Sequence, residues 1–298
     1  MGMTVKLPAS FVHDRIFLHP VTVDGSELTL YADTGGGSMF ISADTVAHLR
    51  LTPQQRVFDG QECDFVHPPA FRKDTPLPMG VHLDGFIVRD DIPPDYRDGF
   101  LGQSWFADRV WHFDYLRREL TLLNSWQPPP DLIDHACELG FQRAEDGRRT
   151  NAFPRIRAEI DGEILDFLFD TGATVSLTPH ALNALNDAGG GALRGTSFIT
   201  NTLFERWHAR HPDWQVIDHA DATADEAMIQ VPQVRVAGYA VGPVWFVRRR
   251  DWNFHEYMSQ WMDKRVDGAL GGSLLRYFSV TVEYARAVTY FRMDEQRP

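Results

Sequence analysis

Two short segments of the sequence place an aspartate where it could act on a proton. Asp33 and Asp170 each begin an Asp-Thr-Gly triplet at the end of an apolar run. Two carboxyl groups held close together cannot both ionise, so the pair would keep one proton over a wide pH range. One member could then take a proton from water while the other gives a proton to the attacked carbonyl.

The residues after each aspartate are suited to hold it. Gly35 and Gly172 allow a tight turn that brings backbone amides close to the carboxylate. Thr34 and Thr171 each offer a hydroxyl that could brace the opposite loop. If the two loops face each other, the predicted chemistry is general acid–base hydrolysis without a covalent intermediate. We predict no metal site and no cofactor.

An internal repeat would bring the two loops together. Residues 23–35, VDGSELTLYADTG, recur as residues 160–172, IDGEILDFLFDTG, at an offset of 137. Downstream, residues 98–106, DGFLGQSWF, recur as residues 267–275, DGALGGSLL, at an offset of 169. Periodic self-similarity of this kind indicates duplication. The second copy carries 32 extra residues between its two anchors, and we place this insertion at about residues 187–230.

The same pattern predicts the elements that position the loops. Runs rich in Val, Ile, Phe and Tyr, broken by Asp-Gly turns, predict hairpins. Prolines at 128–130 predict a stiff connector, so we divide the chain into residues 1–126 and 127–298. The predicted fold is mainly β, in two similar lobes, and its short helices are expected at residues 43–49, 103–110, 180–186, 251–262 and 272–277.

The paired motifs resemble those of a known family. DTGGGS from Asp33 and DTGATVS from Asp170, followed by FLG at 100–102 and ALG at 269–271, are similar to the retropepsin and pepsin aspartic proteases. The resemblance covers most of both lobes and suggests a bacterial, single-chain, two-lobed protein. It implies that each lobe is a closed β-barrel and that an extended peptide binds between the lobes beneath a mobile hairpin flap.

The resemblance also implies roles for individual residues. Asp33 and Asp170 become the catalytic pair of an aspartic endopeptidase, and the two threonines become its mutual brace. The first flap is expected at residues 57–66, with Asp59-Gly60 as its turn, and a second within residues 195–229. The candidate substrate-binding residues are Phe58, Phe65, Ser38 and Thr174.

The first loop departs from the family pattern. Gly36 and Gly37 stand where a small residue and then a hydroxyl residue are usual, and Ser38 would have to supply the missing hydrogen bond. Neither Gly36 nor Ala173 has a hydroxyl that would favour a charged aspartate. We therefore expect a rate optimum at mildly acidic rather than strongly acidic pH.

Three functions remain open at this stage. The first is an endopeptidase that acts on extended, apolar-leaning peptides. The second is a catalytically silent peptide or protein binder on the same scaffold. The third is a hydrolase that cleaves a single cellular partner.

Composition excludes other classes of protein. With 43% hydrophobic and 23% charged residues, the chain is neither disordered nor collagen-like. The net charge of −12, shared equally by the two sides of Trp126, argues against nucleic acid and anionic membranes as partners. Cys63 and Cys137 are too few for a disulfide scaffold. No signal peptide or membrane-spanning run is present, so we expect a cytoplasmic protein whose active unit can be a monomer.

Several other features have ordinary interpretations. His208 and His211 stand three positions apart, a spacing that a helix could carry, and we expect a solvated loop there rather than a zinc site. Arg248 to Arg250 are predicted to form a solvated turn, and the glycines at 189–191 lack the Lys-Ser/Thr of a phosphate loop. Packing in the core or between lobes is the expected role of a set of aromatic residues, namely Trp245, Trp252, Phe254 and Trp261.

Overall fold

The chain is described from a computed structural model that covers residues 4–58, 60–187 and 190–293. Asp59 of the predicted flap turn and Gly189 of the glycine run lie outside the described residues. The fold is mainly β, with several sheets and short helices, as predicted. None of the helices in these ranges combines the length and hydropathy that crossing a bilayer requires.

One sheet takes strands from both halves of the chain. At its centre, Val110–Asp114 pairs antiparallel with Phe278–Glu283, and His112 lies opposite Thr281, 169 positions later. The ring of His112 and the hydroxyl of Thr281 are hydrogen-bonded at 2.9 Å. The duplicated segments therefore meet about a local two-fold axis. In order across the sheet, its six strands are Thr4–Lys6, Glu119–Leu123, Val110–Asp114, Phe278–Glu283, Val288–Met293 and Ala136–Glu138.

The first half forms its own sheet of eight strands. Leu30–Ala32 pairs in parallel with Gly99–Leu101, with Ala32 opposite Leu101. This pairing fixes Asp33 at the end of its strand, where its backbone N–H donates to the Leu101 carbonyl at 3.0 Å. The strand order is Ala9–Val12, Arg15–Leu18, Leu30–Ala32, Gly99–Leu101, Met39–Ser42, Phe86–Arg89, Gln61–Val66 and Gln54–Phe58.

The second half repeats this arrangement in a sheet of nine strands. Phe169 lies opposite Leu270 in a parallel pair, and the N–H of Asp170 donates to the Leu270 carbonyl at 2.9 Å. The order is Val216–Asp221, Glu226–Val231, Val244–Arg249, Ser197–Thr200, Gly268–Leu270, Glu163–Phe169, Arg155–Ile160, Val234–Val236 and Tyr239–Val241. A separate pair joins Thr174–Ser176 to Leu193–Gly195.

The closed barrels implied by the resemblance are not found. Among the described residues, the first-half sheet begins at Ala9–Val12 and ends at Gln54–Phe58, and these two strands are not paired. The second-half sheet likewise begins at Val216–Asp221 and ends at Tyr239–Val241. Each sheet therefore keeps two edge strands, because each terminal strand pairs only with the other strand of its hairpin. The division at residues 126 and 127 stays a prediction.

The helices are short and mostly lie where they were predicted. Ser42 and Thr178 accept hydrogen bonds from backbone N–H groups in the first turns of their helices, as N-cap residues do. The helices after the Leu-Gly elements end earlier than predicted, because strands of the shared sheet follow them directly. The α-helices are Ala43–His48, Gln103–Phe106, Pro179–Ala184, Asn201–Arg210 and Gly272–Leu275.

The insertion contains a helix that the sequence analysis did not assign. Asn201–Arg210 buries Leu203, Phe204 and Trp207 against the second-half sheet and ends beside His211. The predicted surface helix at 251–262 is present in part: Asn253–Met258 forms a wide, π-type helical turn. Phe254 and Met258 face the core there.

Candidate functional site

The two Asp-Thr-Gly loops meet where the halves of the chain face each other. The Gly35 N–H donates to Oδ1 of Asp33 at 2.8 Å, and the Gly172 N–H donates to Oδ1 of Asp170 at 2.9 Å. Each carboxyl group is thus held by its own turn. The two carboxyl groups lie close enough for each to affect the ionisation of the other.

A crossed set of four hydrogen bonds ties the loops together. The Thr34 hydroxyl donates to the Phe169 carbonyl at 2.8 Å and accepts from the Thr171 N–H at 3.0 Å. In return, the Thr171 hydroxyl donates to the Ala32 carbonyl at 3.1 Å and accepts from the Thr34 N–H at 3.1 Å. Both threonines are fully buried. This is the mutual brace that the sequence predicted.

Glycine is required after each threonine because the opposite carboxyl group occupies the adjacent space. A Cβ on Gly35 would lie 2.5 Å from Cγ of Asp170. A Cβ on Gly172 would overlap the carboxyl group of Asp33. Each glycine therefore makes room for the aspartate of the other loop.

The environment of the pair raises the pKa of both aspartates. Burial raises the pKa of Asp33 well above its usual value, and the nearby charge of Asp170 raises it further. Burial also raises the pKa of Asp170, but hydrogen bonds from Asp33 and from the Gly172 N–H oppose that rise. Because burial raises both pKa values and the two groups interact, the pair as a whole keeps one proton over a wide pH range.

Sequence reasoning missed an aromatic wall beside Asp33. The ring of Tyr96 stacks on Tyr31 at 4.7 Å and on Phe100 at 5.7 Å between centroids. The Tyr31 hydroxyl donates to the Gly172 carbonyl at 2.9 Å and is hydrogen-bonded to the Thr174 hydroxyl at 2.8 Å. The charge of Asp33 helps to raise the pKa of both tyrosines, which shows how close they lie to the pair.

The first loop needs Gly36 because of that wall. A Cβ at Gly36 would overlap the Phe100 ring and would lie 2.9 Å from Oδ2 of Asp33. Tyr31 pairs with Phe17 on one side and with Phe100 on the other. An aromatic residue just before the Asp-Thr-Gly triplet, and another just before the Leu-Gly element, were therefore the available signal.

The four predicted substrate-binding residues do not share one surface. Ser38 is buried and its hydroxyl lies 3.4 Å from that of Ser104 inside the first half. Phe65 is buried beneath the guanidinium of Arg56, whereas Phe58 is half-buried near the tip of its hairpin. Thr174 is half-buried and is the member that reaches the aspartates, through its bonds to Tyr31 and to the Gly172 carbonyl.

Two hairpins stand in equivalent places in the two half-sheets. Gln54–Phe58 and Gln61–Val66 form the first, and Val216–Asp221 and Glu226–Val231 form the second. The first continues the sheet from Phe86–Arg89, and the second continues it from Val244–Arg249. Their role as flaps stays a prediction.

The basic run is not the solvated turn that was predicted. Arg248 and Arg249 belong to the strand Val244–Arg249, because the alternating run of apolar residues continues to that point. Arg248 pairs with Glu226 at 2.6 Å and Arg249 pairs with Asp221 at 2.8 Å. Arg250 follows the strand and is exposed.

The remaining candidates take various positions. His208 lies in the helix Asn201–Arg210 and His211 follows it, where its ring stacks on Trp214. Across the described ranges, His, Cys, Asp and Glu side chains form no group of three or more that could hold a metal ion. Of the four aromatic residues, Phe254 is buried and Trp245 is half-buried, whereas Trp252 and Trp261 are exposed.

Comparisons with known proteins give only distant likenesses. No family model matches the chain, and no curated protein matches it. Among solved structures, basic 7S globulin from soybean is 8% identical with a TM-score of 0.46, over 99% of this chain and 96% of that chain. Conglutin gamma, a basic 7S globulin from lupine seeds, is 9% identical with a TM-score of 0.48, over the same shares of the two chains.

The family assignment made from the sequence is therefore corrected. Neither globulin is named as a protease, no family model supports the retropepsin and pepsin aspartic proteases, and nothing supports a bacterial origin. The physical reason is that the resemblance rested on a few residues in two turns and two Leu-Gly elements. Such short motifs report local geometry, a tight turn and a close backbone approach, and this geometry alone does not identify a family.

Proposed function

We propose that Asp33 and Asp170 hydrolyse a peptide bond in an extended peptide. The observation that carries this proposal is the close approach of the two carboxyl groups, each packed against the glycine of the other loop, in a frame held by the crossed bonds of Thr34 and Thr171. An acid and a base that lie side by side can act together, because the base takes a proton from the attacking water while the acid gives a proton to the carbonyl oxygen.

In the proposed reaction Asp33 begins with the shared proton and Asp170 begins as the charged carboxylate. The charged carboxylate of Asp170 accepts a proton from water, and the resulting hydroxyl adds to the carbonyl carbon. The proton of Asp33 passes to the carbonyl oxygen, which gives a neutral tetrahedral diol. On collapse, Asp170 gives its proton to the leaving nitrogen and one diol hydroxyl returns its proton to Asp33. A carboxylic acid and an amine leave, and the pair recovers its single proton.

The raised pKa values set the expected pH dependence. Activity requires a protonated Asp33, so it falls as pH rises through the raised pKa of that residue. It also requires a charged Asp170, so it falls as pH drops through the pKa of that carboxyl group. Because both values are raised, we expect the rate maximum at mildly acidic pH.

The test is cleavage of a mixed peptide library at pH values from about 3 to 8, read by mass spectrometry. Asp33→Asn and Asp170→Asn should each lower the rate by about a thousandfold, within the range that general acid–base catalysis supplies. Asp213→Asn, at an exposed aspartate away from both loops, is the matched control and should cleave normally. Cleavage that persists in both pair variants would overturn the proposal.

A peptide- or protein-binding role without hydrolysis is the second candidate. The observation in its favour is the crowding of the pair: Asp33 is only 9% exposed, and Tyr96 and Phe100 stack beside it. Neither aspartate lines any of four surface cavities of about 630 to 790 Å³ found among the described residues. Peptide binding by the wild-type chain with no cleavage anywhere in the pH series would favour this second role.

A further inference from the structure

A cavity of about 780 Å³ opens next to the aspartate pair. Tyr96 from the first half and Thr174 from the second half line it, and both are in contact with Tyr31. The Thr174 hydroxyl also lies 3.0 Å from the carbonyl oxygen of Gly172, the residue that directly follows Asp170-Thr171. A peptide that reaches the pair would therefore pass this cavity.

Three carboxylates line the cavity, and each is already neutralised by an arginine. Asp95 pairs with Arg15 at 2.6 Å, Asp221 with Arg249 at 2.8 Å and Glu226 with Arg248 at 2.6 Å. Arg249 is further held by the face of Phe198, 4.1 Å from its guanidinium. These acidic groups are therefore committed to partners within the protein.

One cation lining the cavity has no such partner. Arg250 is exposed and, among the residues that the structure describes, no carboxylate pairs with its guanidinium. Trp252 lines the same cavity, is 60% exposed and stacks on Tyr257 at 5.4 Å between ring centroids. An unpaired guanidinium and an exposed aromatic side chain that line one cavity can together bind a carboxylate and the apolar stem that carries it.

We propose that Arg250 and Trp252 form a subsite that binds an acidic side chain of a peptide substrate, to one side of the bond acted on by Asp33 and Asp170. This proposal rests on the proposed function for its placement beside a scissile bond, but not for its charge preference. The carboxylate of a substrate Glu or Asp completes the missing ion pair, and the stem of that side chain lies on Trp252. The chain as a whole carries a charge of −12 and would otherwise repel acidic peptides. The charge of Arg250 therefore determines where along a bound peptide an acidic side chain is accepted.

The test uses two sets of fluorescently labelled decapeptide libraries. Each set has an apolar centre, and one outer position at a time is fixed as Glu in the first set and as Gln in the second. Affinity is measured by fluorescence anisotropy on Asp33→Asn, which keeps the cavity but is not expected to cleave. We expect Glu to bind about three- to tenfold more tightly than Gln at one position on one side of the centre, and this preference should shrink as salt is raised.

Two further variants assign that preference to the subsite. In the same background, Arg250→Gln should abolish the preference for Glu without weakening the Gln libraries, and Arg250→Glu should reverse it, so that Gln binds more tightly than Glu. Arg235→Gln, at an exposed arginine on the strand Val234–Val236 away from this cavity, is the matched control and should keep the preference.

The outcomes separate this proposal from the proposed function. Suppose that the preference for Glu depends on Arg250 but the wild-type chain cleaves no peptide. That result would support the subsite and overturn the hydrolase. If the wild-type chain cleaves the Glu and Gln sets at equal rates, and Asp33→Asn binds them equally well, the subsite is overturned and the hydrolase is left intact. A preference for Glu that survives Arg250→Gln would also overturn the subsite.

Discussion

The two aspartate loops share a first layer of contacts, which is the set of hydrogen bonds that hold the aspartates and threonines. They differ in the second layer, which is the set of side chains packed behind each aspartate. In both loops an aspartate accepts from the glycine two residues later, and each threonine bridges to the other strand. Behind Asp33, however, lies a stack of Tyr31, Tyr96 and Phe100. At the corresponding places in the second repeat, 137 or 169 positions later, stand Leu168, Arg265 and Ala269.

That difference explains Gly36 of the first loop. Gly36 corresponds to Ala173, and Phe100 corresponds to Ala269. In the first loop the Phe100 ring fills the space that a Cβ at Gly36 would need, whereas Ala269, the counterpart of Phe100 in the second repeat, carries no ring. Gly36 therefore reflects packing rather than looseness.

The crossed hydrogen bonds should be equally important in both loops. Thr34→Val removes the donor to the Phe169 carbonyl and leaves the Thr171 N–H without its acceptor, and we expect a loss of about 2–4 kcal/mol in the free energy of unfolding. Thr171→Val should cost about the same, because it breaks the matching pair of bonds. Urea unfolding measures both losses.

The serine variants are the controls for this symmetry. Thr34→Ser and Thr171→Ser keep the hydroxyl and should lose far less stability than the valine variants. A large inequality between Thr34→Val and Thr171→Val would contradict the view that the first layer is symmetric.

The second layer should break that symmetry. Gly36→Ala forces a methyl against the Phe100 ring and should cost about 1–3 kcal/mol, as overpacking does in well-packed cores. The cost should fall when Phe100→Ala is already present, since that change removes the ring that the methyl would overlap and leaves only the close approach to Oδ2 of Asp33. A double-mutant cycle measured by urea unfolding tests this coupling, and additive costs would refute the packing argument.

These residues also show how far the sequence could be read. The repeat register predicted Asp33, Asp170 and both threonines, because these positions recur at one offset. Tyr96 and Phe100 could not be predicted in the same way, because their counterparts, Arg265 and Ala269, have no similar side chain. The aromatic wall is a property of one half alone. A comparison of the two repeats predicts only what the repeats share, so it could not predict this wall.

The fold could likewise be predicted from the sequence in the parts that the two repeats share. Alternating apolar runs and Asp-Gly turns identified the strands, and cap residues identified the helices that follow the loops. The helix Asn201–Arg210 was missed because it lies in the insertion, which has no counterpart in the first half. The family assignment failed for a different reason: a few turn residues constrain local geometry without determining which proteins share it.

The electrostatic difference between the loops should appear in the pH dependence of stability. The raised pKa of Asp33 means that the folded chain holds a proton which the unfolded chain releases near its usual value of 3.8. This contribution to stability is fully present below that value and is lost progressively as pH rises through the folded pKa. Stability should therefore decline from acidic toward neutral pH, and Asp33 should be the main source of that decline.

Variants of the pair make that difference measurable. Asp33→Asn should remove most of the loss of stability with rising pH, so that the variant unfolds at a higher temperature than the wild type at neutral pH. Asp170→Asn should remove only part of it, because burial still raises the pKa of Asp33. Thermal unfolding from about pH 3 to 8 gives the slopes, and equal slopes in the two variants would show that the loops titrate alike.

The smallest expected effect concerns the one wall residue that bonds directly to the other loop. Tyr31→Phe removes the hydroxyl that donates to the Gly172 carbonyl, and Leu168, its counterpart, offers no equivalent bond. We expect a loss of about 1–2 kcal/mol in urea unfolding, because the carbonyl stays buried and keeps only its bond from Thr174. Tyr277→Phe, which removes an exposed bond to the Pro243 carbonyl, is the matched control and should change stability by less than about 0.5 kcal/mol. Equal losses in the two variants would mean that the Tyr31 hydroxyl does not help to fix the second loop, and that the aromatic wall acts through packing alone.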